Sequence, residues 1–390
     1  MATALDPPGP GRNVATLRKA RDMTQTGLAR AAGVSLSTVS KIEVGDRALS
    51  QGMAAAFARA LGVTLAEVLG TDTVKPDESE SLDALRATIR RFDLPGDSLV
   101  TSESLRHGLN ELIKLRGDAN LTTVLARLPQ LLSDTTNYAH AAGSPEAWAM
   151  VADFYSAVYW LAARHRWMDL ADLAVLKQKL AAERATPLVA AIAARDEAGA
   201  FLNSGDFDGG LAVVERAIVA TESTLNGREK ALGLGILHLR GLTLTGRMGN
   251  SSEAERHSAG AWQASEEFPV DVNAAGITFG AANTATHVLA TAVDLEHHRE
   301  ALDVAQRLEG QDLDLPATRV GPVHMNIARA KLALGDRDGA LASLADAWGA
   351  APQMSKVHPT SRELMRVLIS LHKRSNPVLT KLARKAGVHF

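Results

Sequence analysis

The chain has 390 residues, a formal net charge of −2, 46% hydrophobic residues and no cysteine. That length allows two or three domains with a substantial core. The lack of cysteine excludes disulfides, cysteine-ligated zinc and a thiol nucleophile. With so little net charge, any affinity for nucleic acid must come from a local patch. Aromatic residues are only 4% of the chain while alanine and leucine abound, which favours packed helices over sheets. No apolar run approaches the roughly 18 residues of a membrane span. The opening MATALDPPGPGRN has no basic stretch followed by an apolar one, so a cytoplasmic protein with no membrane partner is expected.

Residues 1–11 read as a disordered N-terminus, and 12–71 as a compact unit of five short helices. Val14 and Leu17 share a face of the first. The second runs from Gln25 to Ala32, the third from about Leu36 to Val44, the fourth from Gly52 to Leu61, and LAEVL forms a short fifth. Helices this short must pack on one another to persist. Leu28, Ala29, Gly33, Val34, Val39 and Ile42 make the inward set. The third helix is left with Leu36, Ser37, Ser40 and Lys41 on its free face. Serine and threonine are weak helix formers, so contact is the better reason for them here. Short hydroxyls let a helix lie deep in the major groove, lysine can reach guanine O6 or N7, and leucine can meet a thymine methyl. From Arg12 to Ser50 there are seven cations and three anions, a local excess of +4 of the kind that phosphate neutralisation needs.

Residues 72–80, polar and acidic with one proline, read as a linker. Residues 81–390 are helical with short breaks, and the breaks repeat. Gly335-Asp336 is followed by an Ala-Leu pair, and Gly205-Asp206 and Gly249-Asn250 resemble it. Glu296-His297 keeps only the Ala301-Leu302 pair, and Arg166 marks a degenerate copy. This is the pattern of stacked helical hairpins. Ten residues before each turn stand Ser156, Asp196, Arg240, His287 and Asn326, all polar on otherwise aliphatic helices. Tyr159, Thr243, Asn283 and Arg329 lie three or four residues away on the same face. Of these, Tyr159, Asp196, Arg240, Asn283, His287, Asn326 and Arg329 are the candidate ligand-binding residues of a concave groove. Helices starting at Pro359 and Pro377 close the array. No GxxxxGK[ST], GxGxxG or GxSxG occurs, and His297-His298 point about 100° apart on a helix. No enzyme activity, metal or cofactor is expected.

The segment from about Arg12 to Gly70 resembles the helix-turn-helix of phage-repressor-like regulators, the xenobiotic-response-element family. Gln25, Leu28-Ala29, Gly33-Val34-Ser35, Val39-Ser40, Ile42-Glu43 and Gly45 fall on its pattern. The resemblance implies that Gln25 holds a phosphate and that Ser35, Leu36, Ser37 and Lys41 face bases. It further implies that Arg47 lies in a backbone-touching loop and that Arg18 and Glu43 form a buried ion pair. Leu36 departs from the Arg or Gln that many relatives carry there. The repeats are similar to a tetratricopeptide solenoid. The expected fold is therefore all-α: a five-helix lambda-repressor-like DNA-binding domain followed by a tetratricopeptide-like helical solenoid over 81–390. The function implied is a sequence-specific regulator binding double-stranded DNA as a homodimer, its repeats sensing a peptide or small-molecule effector. The alternatives are a DNA-binding scaffold that recruits a partner protein through its repeats, and an interaction protein with no DNA role. Abundant arginine and alanine suggest a high-GC, actinobacterial source.

Overall fold

The computed structural model describes residues 9–69, 76–309, 315–371 and 376–386. It opens with α1 (Pro10–Lys19), α2 (Gln25–Ala32), α3 (Leu36–Val44), α4 (Gln51–Leu61) and α5 (Leu65–Leu69). The hydroxyls of Thr24, Ser35 and Ser50 accept from the backbone N–H groups of Gly27, Thr38 and Met53, capping α2, α3 and α4. Such caps satisfy donors that a helix start leaves free. Val14, Leu28, Val39, Ile42 and Phe57 are fully buried between these helices. Of the N-terminus expected to be disordered, Met1 to Pro8 lie outside the described residues. Pro10 and Gly11 instead begin α1 and are buried, because proline is pre-set for a first helical turn.

The expected linker, residues 72–80, is helical in its second half. Its first residues lie outside the described ones, but 76–80 belong to α6 (Pro76–Arg90). Proline again opens the helix, and Leu82, Leu85 and Ile89 form its buried stripe. The body continues with α7 (Ser102–Gly117), α8 (Leu121–Ala142), α9 (Pro145–His165), α10 (Met168–Ala182), α11 (Pro187–Ser204), α12 (Phe207–Thr224), α13 (Gly227–Met248) and α14 (Ser251–Ser265). A hairpin of β1 (Val272–Ala274) and β2 (Ile277–Phe279) interrupts it, which the sequence reading did not foresee. Ala275 and Gly276 both have positive φ, 52° and 75°, as a two-residue hairpin turn requires. Then come α15 (Ala281–Asp294), α16 (His298–Glu309), α17 (Ala317–Ala333), α18 (Arg337–Ala350), α19 (Pro352–Val357), α20 (Pro359–Leu371) and α21 (Pro377–Ala386).

The repeated turns share one device. A left-handed glycine (Gly205, Gly249, Gly335) ends one helix, and the next residue's side chain caps the following one. Asp206 and Asp336 accept from Gly209 and Gly339 N–H at 2.9 Å. Glycine takes this conformation without strain. Arg166 and Glu296 occupy it at φ 62° and 64° without that freedom.

Curvature follows from which helices touch. Each of α9, α11, α13, α15 and α17 packs on the next of that series as well as on its own hairpin partner, whereas α10, α12, α14 and α16 pack mainly on their sequence neighbours. The first helix of each hairpin therefore lies on the inner, shorter circumference. The array curls until α17 touches α7 and α19 touches α9. There Gln353 Oε1 accepts from Thr122 N at 3.1 Å, and Ala119, Ala351 and Met354 form a small shared core. The body is thus a closed ring whose lumen is lined by the inner helices. The N-terminal unit is seated on one rim of it, through α4 and α5 against the turn ends of α11 and α13 at Gly205 and Arg247, with one continuous apolar core between them. At the far end Leu364, Leu368, Leu379 and Leu382 are buried, so α20 and α21 cover the last hairpin. Among the described residues, no helix is long and apolar enough to cross a membrane.

Candidate nucleic-acid interface and ring lumen

On α3, Ser35, Leu36, Ser37 and Lys41 are exposed and Ser40 is half-buried. Leu36 keeps 48% of its surface in water, and Val44, which the sequence reading passed over, keeps 64%. Ser35 does double duty. Its hydroxyl caps the helix at 3.1 Å from Thr38 N and lies 2.9 Å from the Thr38 hydroxyl, so a base or phosphate must share it.

Beneath this face the Glu43 carboxylate receives Arg18 Nε at 2.7 Å, Arg18 Nη2 at 2.8 Å and Gln25 Nε2 at 2.8 Å. Burial alone would push the Glu43 carboxyl up, but the hydrogen bonds from Arg18 and Gln25 outweigh it and hold it below the ordinary range. The ion pair between Arg18 and Glu43 that the resemblance implied is present. Gln25, expected to hold a phosphate, has one amide proton committed to this cluster and one left for DNA. Arg47, expected at the DNA backbone, donates to Thr38 Oγ1 at 3.3 Å and to Glu296 Oε1 at 2.8 Å. The loop that carries it is bound to the body again where Leu49 N donates to Glu363 Oε1 at 3.2 Å.

The candidate ligand residues divide. All stand on inner helices, but several do not face an open groove. Asp196 is fully buried and accepts from Ser156 Oγ at 2.7 Å, Gln178 Nε2 at 3.1 Å and Arg195; it ties α9, α10 and α11 together. Asn283 is fully buried and donates to the Thr278 carbonyl at 2.8 Å, pinning the unforeseen hairpin to α15. Tyr159 is buried, and its hydroxyl accepts from Asn203 at 3.4 Å. Asn326 accepts from Arg329 at 3.0 Å. Arg329 pairs with Asp294 at 2.8 Å and lines a cleft of about 420 Å³ beneath the docked N-terminal unit, together with Lys41, Arg47 and Glu296. Asp196 and Asn283 are therefore reassigned from groove to packing and Arg329 to the inter-domain cleft, while Tyr159 stands near the lumen residues Arg240, Arg195 and Arg164 and Asn326 is half-buried. Arg240 and His287, both half-buried, belong to the lumen. Burial, with Arg319, Arg240 and Arg195 nearby, drives the His287 imidazole well below its ordinary value, so it is neutral.

Sequence reasoning missed Arg116, Arg164, Arg195 and Arg319. Two signals were present: Arg319 stands seven residues, two helical turns, before Asn326, and Arg195 directly precedes Asp196. Among the described residues, one cluster has metal-ligand spacing, Glu215, Glu253 and His257. Its centre is occupied by Arg256 Nη2, 2.5 Å from Glu215, 2.9 Å from Glu253 and 3.1 Å from His257 Nε2.

Residues 14–68 match the helix-turn-helix family. With the capped α2 and α3 crossing at Gly33 and the exposed face of α3, the N-terminal unit is a DNA-binding helix-turn-helix of the phage-repressor-like kind, and the rest of the chain is a helical repeat body. No curated protein matches the chain. Solved structures similar to it include "Structure of PrgX", with a TM-score of 0.25, 10% identity, and coverage of 97% of this chain and 100% of that one. Another is "Crystal structure of PrgX/iCF10 complex", with a TM-score of 0.22, 12% identity, and coverage of 94% and 98%.

Proposed function

We propose that this protein is a non-catalytic, sequence-specific transcription regulator that binds duplex DNA as a homodimer and whose repeat ring senses an effector. One observation carries the reading: the α3 face of Leu36, Ser37 and Lys41 stays open while α4, α5 and the α3–α4 loop are seated on the ring. A change in the ring would be felt by the reading head without its reading surface being covered. One head spans only a few base pairs, and helix-turn-helix proteins gain length by pairing half-sites about one turn apart.

Selection of bound fragments from random duplex DNA tests the reading. It should enrich a two-fold site, with affinity falling steeply as salt rises, and light scattering on the complex should give two chains per site. Absence of any enriched sequence, together with salt-independent retention on DNA, overturns it.

A further inference from the structure

The ring lumen gathers more positive charge than the protein can neutralise. Arg116 comes from α7, Arg164 from α9, Arg195 from α11, Arg240 from α13 and Arg319 from α17. Arg116 and Arg164 flank Trp160, their guanidinium carbons 5.5 and 4.3 Å from the ring centroid. Arg116 also reaches the hairpin turn, where Nη1 donates to the Ala275 carbonyl at 3.3 Å. Arg240 Nε donates to the Arg195 carbonyl at 3.1 Å, and Arg195 pairs with Asp196.

Against these five stand three carboxylates, Asp153, Asp196 and Asp271. Asp196 is consumed by Arg195, Ser156 and Gln178. Asp271 accepts from Ala282 and Asn283 N–H at the start of α15. Burial pushes the Asp153 carboxyl up to about 7, in spite of Arg116 nearby. Unmet hydrogen-bonding capacity accompanies the unmet charge: the Nε groups of Arg116, Arg164 and Arg319 are buried with no acceptor, and Arg116 itself is 4% exposed. Burial and mutual repulsion lower the pKa of Arg164, Arg240 and Arg319 from the usual guanidinium value, to about 9 for Arg319. Like charges held together out of bulk water destabilise the ligand-free fold, an arrangement that a bound counter-charge relieves.

We propose that the lumen is a binding site for a small organic anion of two or three negative charges, a phosphate ester or a di- or tricarboxylate, held by Arg116, Arg164, Arg195, Arg240 and Arg319. Planar guanidinium forks suit phosphate and carboxylate oxygens alike. Five guanidiniums face three carboxylates, one of them, Asp153, pushed up to about 7, so the surplus of about two to three positive charges sets the ligand's charge; the buried indole of Trp160 holds Arg116 and Arg164 in place. The assignment of this ligand as effector rests on the sensing role proposed above.

The full chain is titrated calorimetrically with sodium pyrophosphate and with sodium citrate, ionic strength being matched by sodium chloride and glucose serving as the neutral control. Saturable binding of either anion with a rise in melting temperature is expected. Pyrophosphate alone points to a phosphate ester, citrate alone to a polycarboxylate. Arg319→Gln should weaken binding by about tenfold or more while raising the melting temperature of the ligand-free protein, because one repelling charge is gone. A merely structural arginine would lower it. Arg164→Gln provides the same pair of readouts should the first variant misfold. No saturable binding beyond that of chloride and glucose, or binding unchanged in both variants, overturns the site. If the anion binds with these variant effects but DNA affinity is indifferent to it, the site stands and the sensing role falls.

Discussion

Arg47 Nη2 lies 2.8 Å from Glu296 Oε1, joining the loop after the reading helix to the turn between α15 and α16. The pair is well exposed, with side-chain exposures of 38% and 63%. A DNA phosphate and Glu296 would compete for the same guanidinium. Glu296→Gln should therefore raise affinity for all duplexes alike, by roughly two- to fivefold, as fits an exposed pair worth at most about 1 kcal/mol. Arg47→Ala should lower it for all sequences. Fluorescence anisotropy at one fixed salt concentration measures both. A loss of affinity in Glu296→Gln would show that the pair positions Arg47 for DNA instead of withholding it.

Lys41 is the exposed cation at the centre of the α3 face. Lys41→Ala should cost about 1–3 kcal/mol against the preferred site and much less against random DNA, so that base preference relaxes. Equal losses on both would reassign Lys41 to the phosphates.

Glu43 holds Arg18 and Gln25 together, with side-chain exposures of 5% for Glu43 and 10% for Arg18. Glu43→Gln leaves a buried guanidinium without its counter-charge and should destabilise the head by about 3 kcal/mol. The sign with pH follows from the lowered carboxyl. Its stabilisation is complete above the ordinary value of 4.5 and is lost as pH falls through the lower folded value, because there the unfolded state binds the proton more readily. Denaturant melts of wild type and variant should therefore converge as pH falls below 4.5; parallel curves would mean that Glu43 contributes packing only.

Gly235 on α13 receives the edge of the Phe279 ring: a Cβ there would stand 2.0 Å from Phe279 Cζ. Alanine would gain about 1 kcal/mol of helix propensity, but displacing a fully buried ring costs about 1–3 kcal/mol. The clash should win, so Gly235→Ala should lower the melting temperature and speed amide exchange in the hairpin. A stabilised variant would show that the hairpin yields freely.

The head was legible because its signals are local. Gly33 and Gly45 fall on the family pattern and end α2 and α3, and Leu28, Val39 and Ile42 mark the inward face. The repeat turns were legible for the same reason, and counting back from them found the inner helices. Which inner residues open into the lumen was not legible. Asp196 and Arg240 hold equivalent places in their repeats, yet one is sealed by Ser156 and Gln178 while the other is left open to the lumen. That difference comes from the partners that α9 and α10 bring to Asp196, 40 and 18 residues away in sequence. The hairpin was missed because its Ala275-Gly276 turn is a weaker signal than Asn-Gly or Asp-Gly.

The bond from Leu49 N to Glu363 spans 314 residues. The head is made well before part of its seat, and its local caps let it form at once. At the usual pace of translation, the wait for Glu363 is roughly 15–60 s. During that interval the reading helix can exist before the clasp that will hold it, with Arg47 not yet claimed by Glu296. The order in which the ribosome releases α3, α15 and α20 is therefore also the order in which this protein acquires first its grip and then its restraint.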